Sequence, residues 1–413
     1  MLTKWRSSDS AVSSVGMGLV GLAVSWESLR GPSLLGWLII AAGLALIFLT
    51  QKPQPTPLLW PILILIFMSG VSLLVTADST ATAPQITRLL AGITGFIALV
   101  NWARTRQQLF LASLLLLSTG MLIAILAPFI VRWNQAKGIP IPNGIYESFP
   151  LLFSDAVHPN VMVAIMLMLL PLPLAYLLLS YRHGPWPLST RWAQGLLLLA
   201  LILMSVILLL TKSRGGYVAA AIGVLTVLWY SRRRFLALLL TLITAGLGLW
   251  LIVSAEQQTA SLAGDLADAG TLAFRQQVWR VASRMIADFP YTGVGMGTFN
   301  DVAMNLYPFP AVSNPGAHNL YLQVSVDLGI PGLIAFASIL LLVIYMSVAS
   351  ISNLVAEEDQ TLRALAVGLL AGLFALLFHG VIDITIWGTR ASFMPWLIIG
   401  MVTAVHLNSR QLG

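Results

Sequence analysis

Four polar stretches interrupt an otherwise apolar chain, and each has residue types that could do chemistry. The first is Thr211-Lys212-Ser213-Arg214-Gly215-Gly216-Tyr217, set between two apolar runs. A guanidinium at a helix end, beside glycines that admit a close neighbour, suits bidentate binding of phosphate oxygens, and Lys212 can share that charge. The plainer reading is a short loop whose basic residues reach the membrane interface. The second is Phe274-Arg275-Gln276-Gln277-Val278-Trp279-Arg280, where Phe274, Val278, Ala282 and Ile286 recur at helical spacing. Arg275 and Trp279 share a face of that amphipathic helix, and the plainer reading is an interfacial helix whose arginines touch lipid headgroups. Arg280 and Arg284 compete with Arg275 for any phosphate role.

The third stretch runs from Gly293 to Leu333 and leads a Gly- and Pro-punctuated loop up to His318. His318 is a base suited to near-neutral pH, with Asn319 beside it and Tyr321 three positions on; a lone histidine is otherwise a structural hydrogen-bonding residue. The GVGMG at 293–297 has no preceding strand and no dinucleotide-binding unit around it, so its glycines serve a tight turn that folds the loop. The fourth is His379 with Asp383 in an apolar run. At i and i+4 they would share a face of a membrane helix, as a functional pair or as a buried network in which Asp383 meets an outer arginine.

The elements that must position these groups follow from composition. The 413 residues are 58% hydrophobic and 9% charged, with a mean hydropathy of +0.88. Continuous apolar runs of about 20 residues indicate an all-α polytopic membrane protein and exclude a barrel, whose strands alternate apolar and polar residues. The net charge of +7 then reads through membrane topology and gives no nucleic-acid signal. There is no cysteine, and hence no disulfide or thiolate chemistry. No carboxylate pair with a neighbouring histidine stands at ligand spacing in the outer loops, so no metal or other cofactor is expected. The first apolar segment lacks a small-residue cleavage site and reads as a retained helix.

The runs predict about twelve transmembrane helices, near 11–29, 33–50, 57–76, 85–101, 108–131, 160–181, 191–210, 216–230, 235–254, 331–350, 362–387 and 391–407. Residues 1–254 would hold the first nine, 255–317 a large outer loop with short helices, and 318–413 the last three. Lys4, Arg6, Arg104, Arg106, Arg232, Arg233 and Arg234 weight one set of short segments and place the amino terminus in the cytoplasm. Arg214, the 255–317 loop and His318 then share the outer face.

Four ordered features resemble the signature of the O-antigen ligase and polymerase superfamily. They are Ser213-Arg214-Gly215-Gly216, Arg275 with Trp279, Gly293-Val294-Gly295-Met296-Gly297-Thr298-Phe299, and Ala317-His318-Asn319-Leu320-Tyr321-Leu322 with Gly329 and Gly332. His158-Pro159-Asn160, entering a helix, adds to the likeness. The resemblance implies a GT-C-like fold in the bacterial inner membrane, with the active site on the periplasmic face. It implies a metal-independent, inverting transfer of a glycan from undecaprenyl pyrophosphate to an acceptor hydroxyl, on lipid A core in ligases or on another glycan in polymerases. By position Arg214 and Arg275 would bind pyrophosphate, and His318 would take the acceptor proton. Lys212, Arg280, Asn319, Tyr321, His379 and Asp383 are secondary candidates.

Two other function classes compete. A bicarbonate or small-anion transporter would use His379 and Asp383 as a translocation pair, although no repeat of broken helices marks corresponding halves of the chain. A scaffold for envelope assembly would need no reacting groups.

Overall fold

A computed structural model of the chain describes residues 2–133, 142–152, 156–180, 190–231, 233–236, 272–307, 316–356, 359–384 and 386–410. The named elements among them are helices: α1 (Leu2–Arg30), α2 (Leu34–Thr50), α3 (Leu59–Val75), α4 (Ser79–Trp102), α5 (Arg106–Ile130), α6 (Asn143–Glu147), α7 (Pro159–Leu169), α8 (Pro171–Leu179), α9 (Arg191–Leu210), α10 (Arg214–Tyr230), α11 (Leu272–Asp288), α12 (Phe299–Leu306), α13 (Leu320–Asn353), α14 (Gln360–His379) and α15 (Phe393–Ser409). An isolated bridge joins Val131 and Val157. Several starts are set by side-chain caps that satisfy exposed amide groups. Ser33 Oγ accepts from Gly36 N, Asp78 Oδ1 from Thr80 N, and Ser213 Oγ from Gly216 N.

Seven helices among the described residues are long and apolar enough to cross a membrane, and α2, α3 and α15 are shorter apolar helices. The described residues are therefore helical and consistent with a multi-pass membrane protein, but this length criterion does not reach the expected count of about twelve spans. The expected span at 235–254, apart from its first two residues, and residues 255–271 and 308–315 of the expected loop lie outside the described residues.

The chain divides into two compact units, Met1–Ala112 with Trp279–Asn353 and Ile386–Gly413, and Ser113–Val278 with Leu354–Thr385. In the first, α4 packs on α1, α2, α3 and α15, while α13 packs on α3, α12 and α15. Val20, Val24, Ile40, Ile47, Ala91 and Ala98 form a buried core there. In the second, α14 packs against α7, α8 and α10. Gly368 and Gly372 permit this, since a Cβ on Gly372 would stand 2.3 Å from the Met168 carbonyl oxygen, and one on Gly368 2.9 Å from Leu172 Cα. The expected helix over 160–181 appears as α7 and α8. Leu170 between them keeps helical dihedrals, and the ladder gaps because Pro171 has no N–H to donate.

Two boundaries differ from expectation. α13 starts at Leu320 rather than near 331 and is interrupted at Gly329 (φ 69, ψ −178). α14 ends at His379 instead of running to 387. Beyond it Val381 N and Ile382 N donate to carbonyls three residues back, tightening the chain out of the helix. Asp383 consequently lies in a turn, and the expected pairing with His379 on one helix face is corrected.

Candidate active site

The candidate arginines belong to the second unit. Thr211 and Lys212 follow the end of α9, with Lys212 in the left-handed region (φ 52). Lys212 is buried, and its Nζ stands 5.0 Å from the centre of the Tyr146 ring, a cation–π arrangement. The Tyr146 hydroxyl donates to the Leu210 carbonyl at 3.0 Å, which fixes the ring. Ser213 caps α10, and Arg214 is its first residue, exposed to the surroundings. The two glycines are packing requirements. A Cβ on Gly215 would lie 1.8 Å from Ile382 Cδ1, and one on Gly216 would lie 2.7 Å from Val163 Cγ1.

α11 has the expected amphipathic form, with Phe274, Val278, Val281, Ala282 and Met285 buried. Met285 takes the buried position expected of Ile286, which is half-buried. Arg275 is also half-buried, whereas Arg280 and Arg284 are exposed, so only Arg275 is drawn inward. Burial pushes its guanidinium below the ordinary value; the negative charge of Asp383 opposes that shift and the positive charge of Arg214 adds to it. The three charged groups therefore act on one another, and an arginine stays cationic at neutral pH through such perturbation. Arg275 Nε is buried without a hydrogen-bond partner among the described residues.

Asp383 is buried and accepts a hydrogen bond from Asn160 Nδ2. Asn160 in turn donates its backbone N–H to His158 Nδ1 at 3.1 Å, so His158 acts as the cap of α7. His379 is buried at the carboxyl end of α14.

The candidate histidine belongs to the first unit. Ala317 is buried, and its N–H donates to Gln323 Oε1 at 2.7 Å. His318 follows in the left-handed region (φ 47), unusual for a residue with a Cβ. Asn319 then caps α13, its Oδ1 accepting from Tyr321 N and Leu322 N, both at 3.0 Å. Tyr321, the second residue of that helix, is half-buried.

The 293–297 loop folds onto α13 where that helix breaks. Val294 N donates to the Val326 carbonyl at 2.8 Å, and Ile330 N to the Pro290 carbonyl at 2.7 Å. Gly293, Gly295 and Gly297 all have positive φ, so the expected tight turn is present. Behind the loop lies Asp327, fully buried. It accepts from Gln323 Nε2 and Trp387 Nε1, both at 2.8 Å, and from the backbone N–H of Gly297.

Arg214, Arg275 and Asp383 are thus brought together in one unit, and His318, Asn319 and Tyr321 in the other. Sequence reasoning passed over Asp327, Gln323 and Trp387. The available signal was a carboxylate in an apolar run, the same reason that drew attention to Asp383.

Residues 199–337 match the family model described as O-Antigen ligase. No curated protein matches the chain. The matched segment takes in Arg214, Arg275, the 293–297 loop, His318 and Asp327, and the match supports the resemblance to the O-antigen ligase and polymerase superfamily.

Proposed function

We propose that the protein is an O-antigen ligase-type glycosyltransferase. It moves a glycan from undecaprenyl pyrophosphate to a sugar hydroxyl of lipid A core, at the periplasmic face of the bacterial inner membrane. The observation that carries this reading is Arg275, a half-buried guanidinium with a buried Nε that no described residue engages, acting on the same charge cluster as Arg214. Among the described residues, the two guanidiniums and the carboxylate of Asp383 leave excess positive charge, which suits a pyrophosphate leaving group.

In the reaction the acceptor oxygen attacks the anomeric carbon from the face opposite the pyrophosphate. The bond from that carbon to the pyrophosphate oxygen breaks, and its electron pair stays on the lipid pyrophosphate, where Arg214 and Arg275 stabilise the growing charge. His318 takes the proton lost by the acceptor hydroxyl. The configuration inverts, and the arginines supply the charge stabilisation a divalent ion would otherwise give. A polymerase would use the same donor half with the end of another glycan as acceptor.

The test is a purified-protein assay with an undecaprenyl-pyrophosphate glycan and two acceptors, lipid A core and free glycan ends, with a chelator present. Product on lipid A core that persists with chelator supports the ligase reading. Product only on glycan ends replaces it with the polymerase, and substrate-dependent ion uptake without any glycan product would sink both.

A further inference from the structure

Three observations in the first unit converge on the backbone of His318. The residue before it is held through the Ala317 N–H, which donates to Gln323 Oε1 at 2.7 Å. The residue after it is held as the cap of α13 through Asn319 Oδ1. Between these two anchors His318 adopts φ 47, a conformation that persists in a residue with a Cβ only where the surroundings over-determine it.

Gln323 is itself fixed in orientation. A backbone N–H can only donate, so the amide must turn Oε1 to Ala317, which leaves Nε2 facing Asp327. Asp327 Oδ1 accepts that Nε2 at 2.8 Å, and Oδ2 accepts Trp387 Nε1 at 2.8 Å. The Gly297 N–H is directed at the same carboxylate, and the loop carrying it is tied down on its other side, since Met296 N donates to Ser72 Oγ at 2.7 Å and Thr82 Oγ1 donates to the Met296 carbonyl at 2.8 Å. Asp327 therefore joins the start of α13, the glycine loop and the turn at Trp387.

We infer that Asp327 and Gln323 are positioning residues for His318: the buried carboxylate locks the Gln323 amide, and the amide holds the Ala317–His318 peptide so that the imidazole is presented in one orientation. This rests on the proposal that His318 is the base. Neither residue needs to touch substrate, and their effect passes through the backbone to the ring. A polar link of this kind has high stakes when buried, because an unmade partner costs more than the bond itself contributes.

The experiment is a double-mutant cycle on the purified full chain, with an undecaprenyl-pyrophosphate glycan as donor. Gln323→Met keeps the side chain's length and removes both hydrogen bonds. It should lower kcat by about tenfold to a hundredfold, as expected for a small misplacement of a reacting group, with the donor KM unchanged. In the His318→Ala background the same change should cost nothing further, because the two residues act as one unit. Asp327→Asn places an amide N–H2 among donors and should reproduce the kcat loss. If that variant fails to fold, Gln323→Met carries the test alone. Full turnover in His318→Ala overturns the base assignment, and this inference with it. Loss in His318→Ala with full turnover in Gln323→Met overturns the positioning claim alone. Multiplicative losses in the double variant, or a matching rise in donor KM, would show a general structural role and also overturn it.

Discussion

The arginine cluster of the second unit and the histidine region of the first are built by different means. Around Arg214 the chain is shaped by close packing: Gly215 yields to the Ile382 side chain, Gly216 to Val163, and Arg275 feels the carboxylate of Asp383, which also accepts from Asn160. Around His318 the chain is shaped by hydrogen bonds, with a left-handed backbone, a side-chain cap and a buried carboxylate that serves three donors. Electrostatic stabilisation of a flexible lipid pyrophosphate tolerates some play in a guanidinium, because charge acts over distance. Proton removal by a base does not, since it demands hydrogen-bond reach. Under the proposed reaction, the hydrogen-bonded rigidity would serve the group that needs position, and the excess charge the groups that need field.

The largest expected effect separates these halves directly. His318→Ala should lower kcat by about 10²- to 10⁴-fold while donor binding, measured by titration of the labelled lipid-linked glycan, stays near wild type. Arg275→Ala should lower turnover by about 10²- to 10³-fold and weaken donor binding as well. Arg275→Lys keeps the charge without the planar fork, and should recover part of the binding but less of the rate. If both alanine variants changed the same kinetic constants, the division between position and field would collapse. Donor binding left intact in both Arg214→Ala and Arg275→Ala would remove the pyrophosphate role.

A smaller effect probes the packing logic of the arginine half. Gly215→Val puts branched carbon where Ile382 Cδ1 would lie 1.8 Å from a Cβ, and overpacking of this kind costs about 1–3 kcal/mol. The melting temperature in detergent should fall. Adding Ile382→Ala should restore it by vacating the space, and an unrescued variant would point to the glycine backbone instead of the contact.

Much of the arginine half was legible in the chain because its parts are contiguous. Ser213, Arg214, Gly215 and Gly216 stand together as cap, charge and two small residues, although only the fold reveals that Ile382 and Val163 are what the glycines admit. The amphipathic face of α11 was legible too, through the spacing of Phe274, Val278 and Ala282. Asp327 was not legible, because Gly297, Gln323 and Trp387 meet only after folding and no period links them. The end of α14 was misread for a local reason. The residues after His379 stay mostly apolar, so hydropathy continued where the helix gave way to a hydrogen-bonded turn.

The smallest effect tests how firmly the histidine half is held at its outer edge. The Tyr307 hydroxyl, just past α12, donates to Asp288 Oδ2 at 2.6 Å at the end of α11. Burial, then the hydrogen bond and the negative charge of Asp288, pushes the phenol up to about 12. A raised value means that the folded state holds the proton more tightly than the unfolded chain, whose tyrosine titrates near 10. The contribution is therefore fully present below about pH 10 and is lost as pH rises through about 12. Tyr307→Phe should remove that alkaline component from the stability profile while costing less than about 1 kcal/mol at neutral pH, as for other exposed polar pairs. Tyrosinate absorbance should likewise lose one late-titrating group. A variant that also lost turnover would show that the α11–α12 pin helps hold the glycine loop, extending the positional control of the histidine half beyond Asp327.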